Sequence, residues 1–515
     1  MLFNSYEFML AFLPVFIIGF FLIRHFYRDK ENLMRLCDLW IIAGSLVFYA
    51  LFGVKNVLVL TASIVFNSII IHFLENLKGN HKSRKDNNDS DKDFVDFRKI
   101  TLIVGISANL STLLIFKFSG VFFPIAISFY TFNQISYLVD YYREDIKKFD
   151  LLEYLSYILF FPKLLQGPLM SYGDFDSQLN KSAKKSLDWE MVMRGLLLVS
   201  LGLFKKVILA DIIGQAVDYG YDSLATLGWW EALLVAVFYS FQLYFDFSGY
   251  CDVASGICMI FGFELSLNFD SPYKAVNIID FWNRWHITLT KFFTKYIYIP
   301  LGGSRKGAVR TYVNIMIVFL VSGLWHGSGW TFIVWGAMHG ILNVITRAIS
   351  KVAVRKQEYV TSSCANVNHN EEQIIVNNIH TRLANCGKRF FTFIYVTIAW
   401  VFFRANTISD AALLFKRMFS GGIRPYYSDF ANYFRLDEIW YVLKLTPIVN
   451  YNFSWDLCMW LFLVVSTVIV FFGKSAINYA RECRIGLFTT LLTAVLLVWC
   501  VLSFGGVSTF LYMNF

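Results

Sequence analysis

"TYVNIMIVFLVSGLWHGSGWTFIVWGAMHG" (residues 311–340) decides what kind of protein this is. An apolar run leads from Thr311 to Trp325, and a helix of that length rises about 1.5 Å per residue, or roughly 20 Å. The turn before it, Gly302–Arg310, carries Arg305, Lys306 and Arg310, which marks a membrane edge. His326 is therefore predicted deep in hydrocarbon, where an imidazole must be paired or face water. Gly327, Ser328 and Gly329 follow; they break the helix and let another group approach its backbone. Irregular backbone at such depth is tolerated only where it is buried in protein or lines a cavity. Histidine, helix break and small residues together point to a functional site inside a membrane protein.

The rest of the chain has the same character. Only 16% of its 515 residues are charged and 57% are hydrophobic, against about 25% charged in soluble proteins. The predicted fold is all-α, a single polytopic membrane domain over 1–515 with about ten to twelve crossings plus re-entrant or interfacial helices. Candidate spans are 8–23, 39–54, 56–74, 100–117, 122–140, 191–210, 229–247, 250–263, 312–325, 330–349, 390–403, 458–473 and 485–505. Residues 151–169 read as re-entrant or interfacial. Glu7 precedes the first apolar run and the basic residues follow it, so that run reads as an uncleaved span and not a signal peptide.

The net charge of +9 does not indicate nucleic acid, because the basic residues sit in short loops, where they orient the chain and meet anionic lipid. Loop 24–38, the charged loop 75–99 and loop 141–150 are assigned to the cytoplasm. That puts the N-terminus outside, the polar loop 352–388 inside, and the aromatic segment 405–457 outside. His81, His369 and His380 lie in the polar loops and read as solvated; His25 and His72 read as interfacial. The eight cysteines show neither C-x-x-C pairs nor histidines at ligand spacing, and no metal site is expected.

Polar residues concentrate in five blocks: "SFYTFNQISYLVDYYR" (128–143), "FPKLLQGP" (161–168), "FQLYFDFSGYCD" (241–252), "DFWNRWH" (280–286) and "VSGLWHGSGWTFIVWGAMHG" (321–340). Such clustering predicts one polar cavity lined by several helices, Gln166 included. In "DFWNRWH", helical spacing sets Asp280, Asn283 and His286 on one stripe. Two readings stay open there. The stripe holds a histidine for acid–base work, or it is a structural network at a helix end with Arg284 reaching the headgroups. His339 is either a second cavity residue or a packed histidine. Asp246, among aromatics, must protonate or find a donor; Tyr250 and Arg284 are the candidates, and a structural role shaping the cavity is favoured.

These blocks, in this order, resemble the membrane-bound O-acyltransferase family, and within it the bacterial branch of alginate O-acetylation membrane proteins. "FRANTISDAALLF" (403–415) and "TFLYMNF" (509–515) extend the resemblance over nearly the whole chain. It implies acyl transfer to a hydroxyl, with His326 of the W-H-G block as the essential residue, His286 as the second family position, and Asn283 as a further polar group. The polar loop 352–388 has no counterpart in the pattern. The resemblance also implies a cytoplasmic acyl thioester such as acetyl-CoA as donor, with no bound cofactor. It implies a polysaccharide as final acceptor and a serine-hydrolase-like extracytoplasmic acetyltransferase as partner, in a bacterial cytoplasmic membrane. In that scheme His326 is the general base, while His286 and Asn283 orient the acceptor or stabilise an oxyanion. Two alternatives remain: D-alanyl transfer to teichoic acid, and a transporter or flippase, although the inverted repeats of a transporter are not visible.

Overall fold

The computed structural model describes residues 1–85, 97–120, 122–363, 371–422, 429–447, 453–504 and 511. Among these every regular element is a helix, the form in which an apolar segment satisfies its own backbone groups in lipid. Among the described residues nine helices are long and apolar enough to cross a membrane: Glu7–Tyr27, Leu33–Ala50, Val54–Lys78, Phe97–Phe118, Trp229–Phe261, Ala308–His326, Trp330–Val352, Leu383–Arg404 and Ser454–Phe471. Leu487–Leu502 is a shorter apolar helix. Large apolar side chains such as Leu10, Val15, Ile18, Ile103 and Ile115 are exposed on these helices, as a lipid-facing surface requires.

The chain forms two compact units. The first comprises Met1–Phe204, Gly249–Ser266 and Ala476–Phe515; the second comprises Lys205–Ser248 and Leu267–Ser475. In the first, Phe161 packs edge-on against Phe12 and Phe16 at 5.3 and 5.0 Å. Its polar core is an amide knot: Asn67 and Asn109 donate to each other, at 3.1 and 2.8 Å, and Asn67 also donates to Gln134 Oε1 at 2.9 Å. Helices cross closely where glycines meet. A Cβ on Gly195 would lie 2.7 Å from the Gly256 carbonyl, and one on Gly202 2.7 Å from that of Gly249, the small-residue contact common to membrane helices.

That crossing explains one departure from the sequence reading. The spans expected at 229–247 and 250–263 are a single helix, Trp229–Phe261. Ser248 and Gly249 look like a break in an apolar run, but they are where the backbone is approached closely. Residues 151–169 hold only the short buried helices Leu151–Leu159 and Phe161–Leu164, too short to span. Around the predicted polar loops, helix Trp330–Ser363 runs on to Ser363 and the next begins at Glu371. His369, Cys364, residues 86–96 of the charged loop 75–99 and nearly all of "TFLYMNF" lie outside the described residues.

In the second unit Ala308–His326 and Trp330–Ser363 form a tight hairpin. A Cβ on Gly336 would lie 2.5 Å from the Phe319 carbonyl, and one on Gly323 would run into that of Phe332. The hairpin sets the Trp335 ring 5.1 Å from that of His326.

Candidate active site

His286, Asn283, Asp280, Arg284, Asp246, His326 and His339 fall in the second unit, whereas Gln166 and Tyr250 fall in the first. Gln166 is fully enclosed there, and Tyr250 stacks on Phe3 at 4.8 Å with its hydroxyl 3.5 Å from the Pro162 carbonyl.

The helix Ala308–His326 ends on His326, as the glycines after it predict. Gly327 is required for a simple reason: a side chain there would collide with the Phe332 ring. The imidazole is buried among Trp325, Trp335 and Phe403, with ring centroids at 4.5, 5.1 and 4.9 Å.

The predicted stripe does not survive. Helix Ile278–Arg284 stops before His286, which adopts a left-handed backbone (φ 43°, ψ 52°) and caps the next helix, Ile287–Phe293. Such a conformation is costly for a residue with a Cβ and is retained where the surroundings impose it. Here the segment around Asn268 does so, through Ile287 N–H to Asn268 O at 3.0 Å and Asp270 N–H to Arg284 O at 3.0 Å.

Asn268 also fixes the imidazole tautomer. Its Oδ1 accepts from the Thr288 backbone N–H at 3.3 Å and the Thr288 hydroxyl at 2.9 Å. That atom is therefore an oxygen, and His286 Nδ1, 3.1 Å away, must be the donor. The lone pair consequently sits on Nε2, which is buried without a hydrogen-bond partner among the described residues. Of the two expected roles this tautomer suits orienting the acceptor: a ring presenting a lone pair can accept a proton or a hydroxyl hydrogen, but it repels an oxyanion.

Asp280 and Arg284 follow the structural reading. Asn277 caps the helix by accepting from Asp280 N–H at 2.9 Å, while Asp280 accepts from Val276 N–H at 3.1 Å and from Arg284 Nε at 2.8 Å. Asp246 has a cation that was not expected: Lys206 lies 2.7 Å away and also reaches Asp211 at 2.8 Å. Lys206 lies where the helix widens into π geometry over Phe204–Ala210. The signal for it was in the sequence, since a lysine pair in the apolar run "GLFKKVILAD" (202–211) demands a counter-ion.

Asn283 faces a cavity of about 330 Å³. Ser304 of the basic turn lines it, as do Tyr298, Asn343 and Arg347, and so do Trp282, Phe319 and Ser322 further in. Arg347 Nε donates to Asn343 Oδ1 at 2.9 Å. Ser322 lies one helical turn before His326, which is not itself a lining residue. Trp282, Arg347, Asn343 and Asn268 were not singled out from the sequence. A cation and an amide one turn apart in an apolar helix were the available clue for Arg347 and Asn343.

The profile of the membrane-bound O-acyltransferase family matches residues 122–368. The chain is 36% identical to the peptidoglycan O-acetyltransferase of Helicobacter pylori over 461 residues, covering 81% of this chain and 80% of that protein. It is 32% identical to the probable alginate O-acetylase AlgI of Pseudomonas aeruginosa, covering 82% and 75%. A teichoic acid D-alanyltransferase of Streptococcus thermophilus is 29% identical over 44% of this chain and 57% of its own length. The fold and site define a multi-pass membrane acyltransferase. The chain belongs to the membrane-bound O-acyltransferase family.

Proposed function

We propose that this acyltransferase moves an acetyl group from a cytoplasmic thioester to a hydroxyl acceptor, for O-acetylation of a polysaccharide outside the cell. In this reading it sits in a bacterial cytoplasmic membrane with its N-terminus outside, and an extracytoplasmic acetyltransferase carries the group onward. The cavity carries the reading. It begins at Ser304, in the basic turn that positive charge assigns to the cytoplasm, and reaches Ser322 beside the His326 block. Its wall of aromatics with a few amides and hydroxyls suits an extended thioester arm, and Arg347 at Asn343 suits an anion on that arm.

His326 is the proposed general base. It takes the proton of the acceptor hydroxyl as the oxygen attacks the thioester carbonyl, and the proton passes to the departing thiolate. Asn283, on the cavity wall, is the proposed donor to the developing oxyanion. His286, with its lone pair on Nε2, accepts a hydrogen bond from the acceptor hydroxyl. The step from Ser322 to His326 requires a side-chain movement, because the cavity stops short of the imidazole.

Replacing His326 with alanine tests the reading. With membrane insertion confirmed, ester-linked acetate on the cell's polysaccharide should fall by roughly 10²–10⁴-fold. Unchanged acetate would refute the catalytic assignment. Labelled acetyl-CoA and a D-alanyl carrier thioester, offered separately to membranes, decide the acyl group.

A further inference from the structure

His339 has no part in that chemistry, yet its surroundings are highly specified. It lies within Trp330–Ser363 and is fully enclosed. Its Nδ1 is 3.3 Å from Trp282 Nε1. An indole nitrogen only donates, so Nδ1 accepts and the ring proton is on Nε2. Trp282 is itself a wall of the cavity. Its indole packs against Phe319 at 5.3 Å and Trp335 at 5.9 Å. Trp335 stands 5.0 Å from His339 and 5.1 Å from His326.

From this geometry we infer that His339 is a positioning residue: it latches the Trp282 indole back against the hairpin and so keeps the cavity open to the acyl donor. The inference rests on reading the cavity as the donor's passage. The physical reason is the indole N–H, which in an aromatic surround must find an acceptor. Without His339 Nδ1, the acceptors that line the same cavity as Trp282 include the Asn343 amide and the Ser322 hydroxyl. An indole turned toward them fills the space the donor needs. Binding is obstructed more than chemistry, since neither His326 nor Asn283 is touched.

The test uses the full chain in inverted membrane vesicles from cells that depend on it, with labelled acetyl-CoA added outside and incorporation measured. His339→Phe keeps an aromatic ring but no acceptor; His339→Gln returns an acceptor. The Phe variant should raise KM for acetyl-CoA about tenfold with kcat within about threefold, and the Gln variant should recover most of that loss. In the double variant His339→Phe/Trp282→Phe no indole N–H remains to seek another acceptor, so the KM increase of His339→Phe should be largely relieved. The indole N–H band in ultraviolet resonance Raman spectra should shift in His339→Phe and return in His339→Gln. A merely structural role would lower kcat and melting temperature together, without rescue by glutamine, and would overturn the inference. So would unchanged KM in His339→Phe. If the wild type transfers nothing from a thioester, the functional reading fails, while the Raman band still tests the latch by itself.

Discussion

Two polar blocks that look alike in sequence end in opposite circumstances. In the first unit, "FPKLLQGP" buries Lys163 and Gln166 almost completely, and neither the amine nor the side-chain amide has a hydrogen-bond partner among the described residues. In the second, "DFWNRWH" puts Asn283 on a cavity wall, while His286 Nε2 is buried without a hydrogen-bond partner among the described residues. Both blocks raise the same question, since polar groups among apolar helices are costly. Packed space surrounds the polar groups of one block, and a cavity meets Asn283 of the other. Polarity at depth therefore flags a candidate, and access decides its role.

The largest effect that can sharpen this contrast belongs to a polar group that is closed and fully paired. Lys206 serves two carboxylates within hydrogen-bond distance, Asp246 and Asp211. Lys206→Ala removes the cation and leaves Asp246 buried beside Asp211, which should cost about 3–5 kcal/mol. Thermal unfolding in detergent would show it as a collapse of melting temperature with little folded protein recovered. A stable Lys206→Ala protein would mean that the pair is not the structural anchor its burial implies.

Asn283 tests the open side. If its amide stabilises the oxyanion, Asn283→Ala should reduce acetyl transfer by about 10²–10³-fold, or about 2.7–4 kcal/mol of transition-state stabilisation. The melting temperature should stay unchanged, because Asn283 is exposed to the cavity. A parallel loss of stability and activity would place Asn283 with the structural groups and break the contrast.

The two outcomes also mark what the sequence could carry. Long apolar runs made the helical membrane fold legible, and the W-H-G glycines made the end of the helix at His326 legible. Pairings across the fold were not. Asp246 suggested Tyr250 and Arg284 as partners, yet the cation 2.7 Å from it is Lys206, forty residues before it. His286 looked like the third member of a helical stripe, but the helix ends at Arg284 because the Asn268 segment hydrogen-bonds across it. Local periodicity cannot register a long-range bond that overrides it. The tautomer of His286 lay beyond sequence for the same reason, since it depends on which atom of Asn268 meets Thr288.

The smallest expected effect is also the one most able to overturn the contrast. Lys163 Nζ lies 3.4 Å from the centroid of the Tyr157 ring, and the Tyr157 hydroxyl is itself tied to the Met170 carbonyl at 2.8 Å. The amine thus rests on a fixed aromatic face that offers it no carboxylate. Lys163→Met keeps the length and packing of the side chain, removes an amine that is costly to bury, and gives up the contact with the ring. Those changes oppose each other, so stability should move by no more than about 1 kcal/mol in either direction. Acetyl transfer should stay within about twofold of wild type, because nothing about Lys163 opens to a substrate. Both can be read on one preparation, by thermal unfolding and by labelled acetate incorporation. A tenfold fall in transfer at unchanged melting temperature would assign Lys163 a part in the chemistry. The first unit would then hold a working piece of the site, and burial without a partner would have concealed a function.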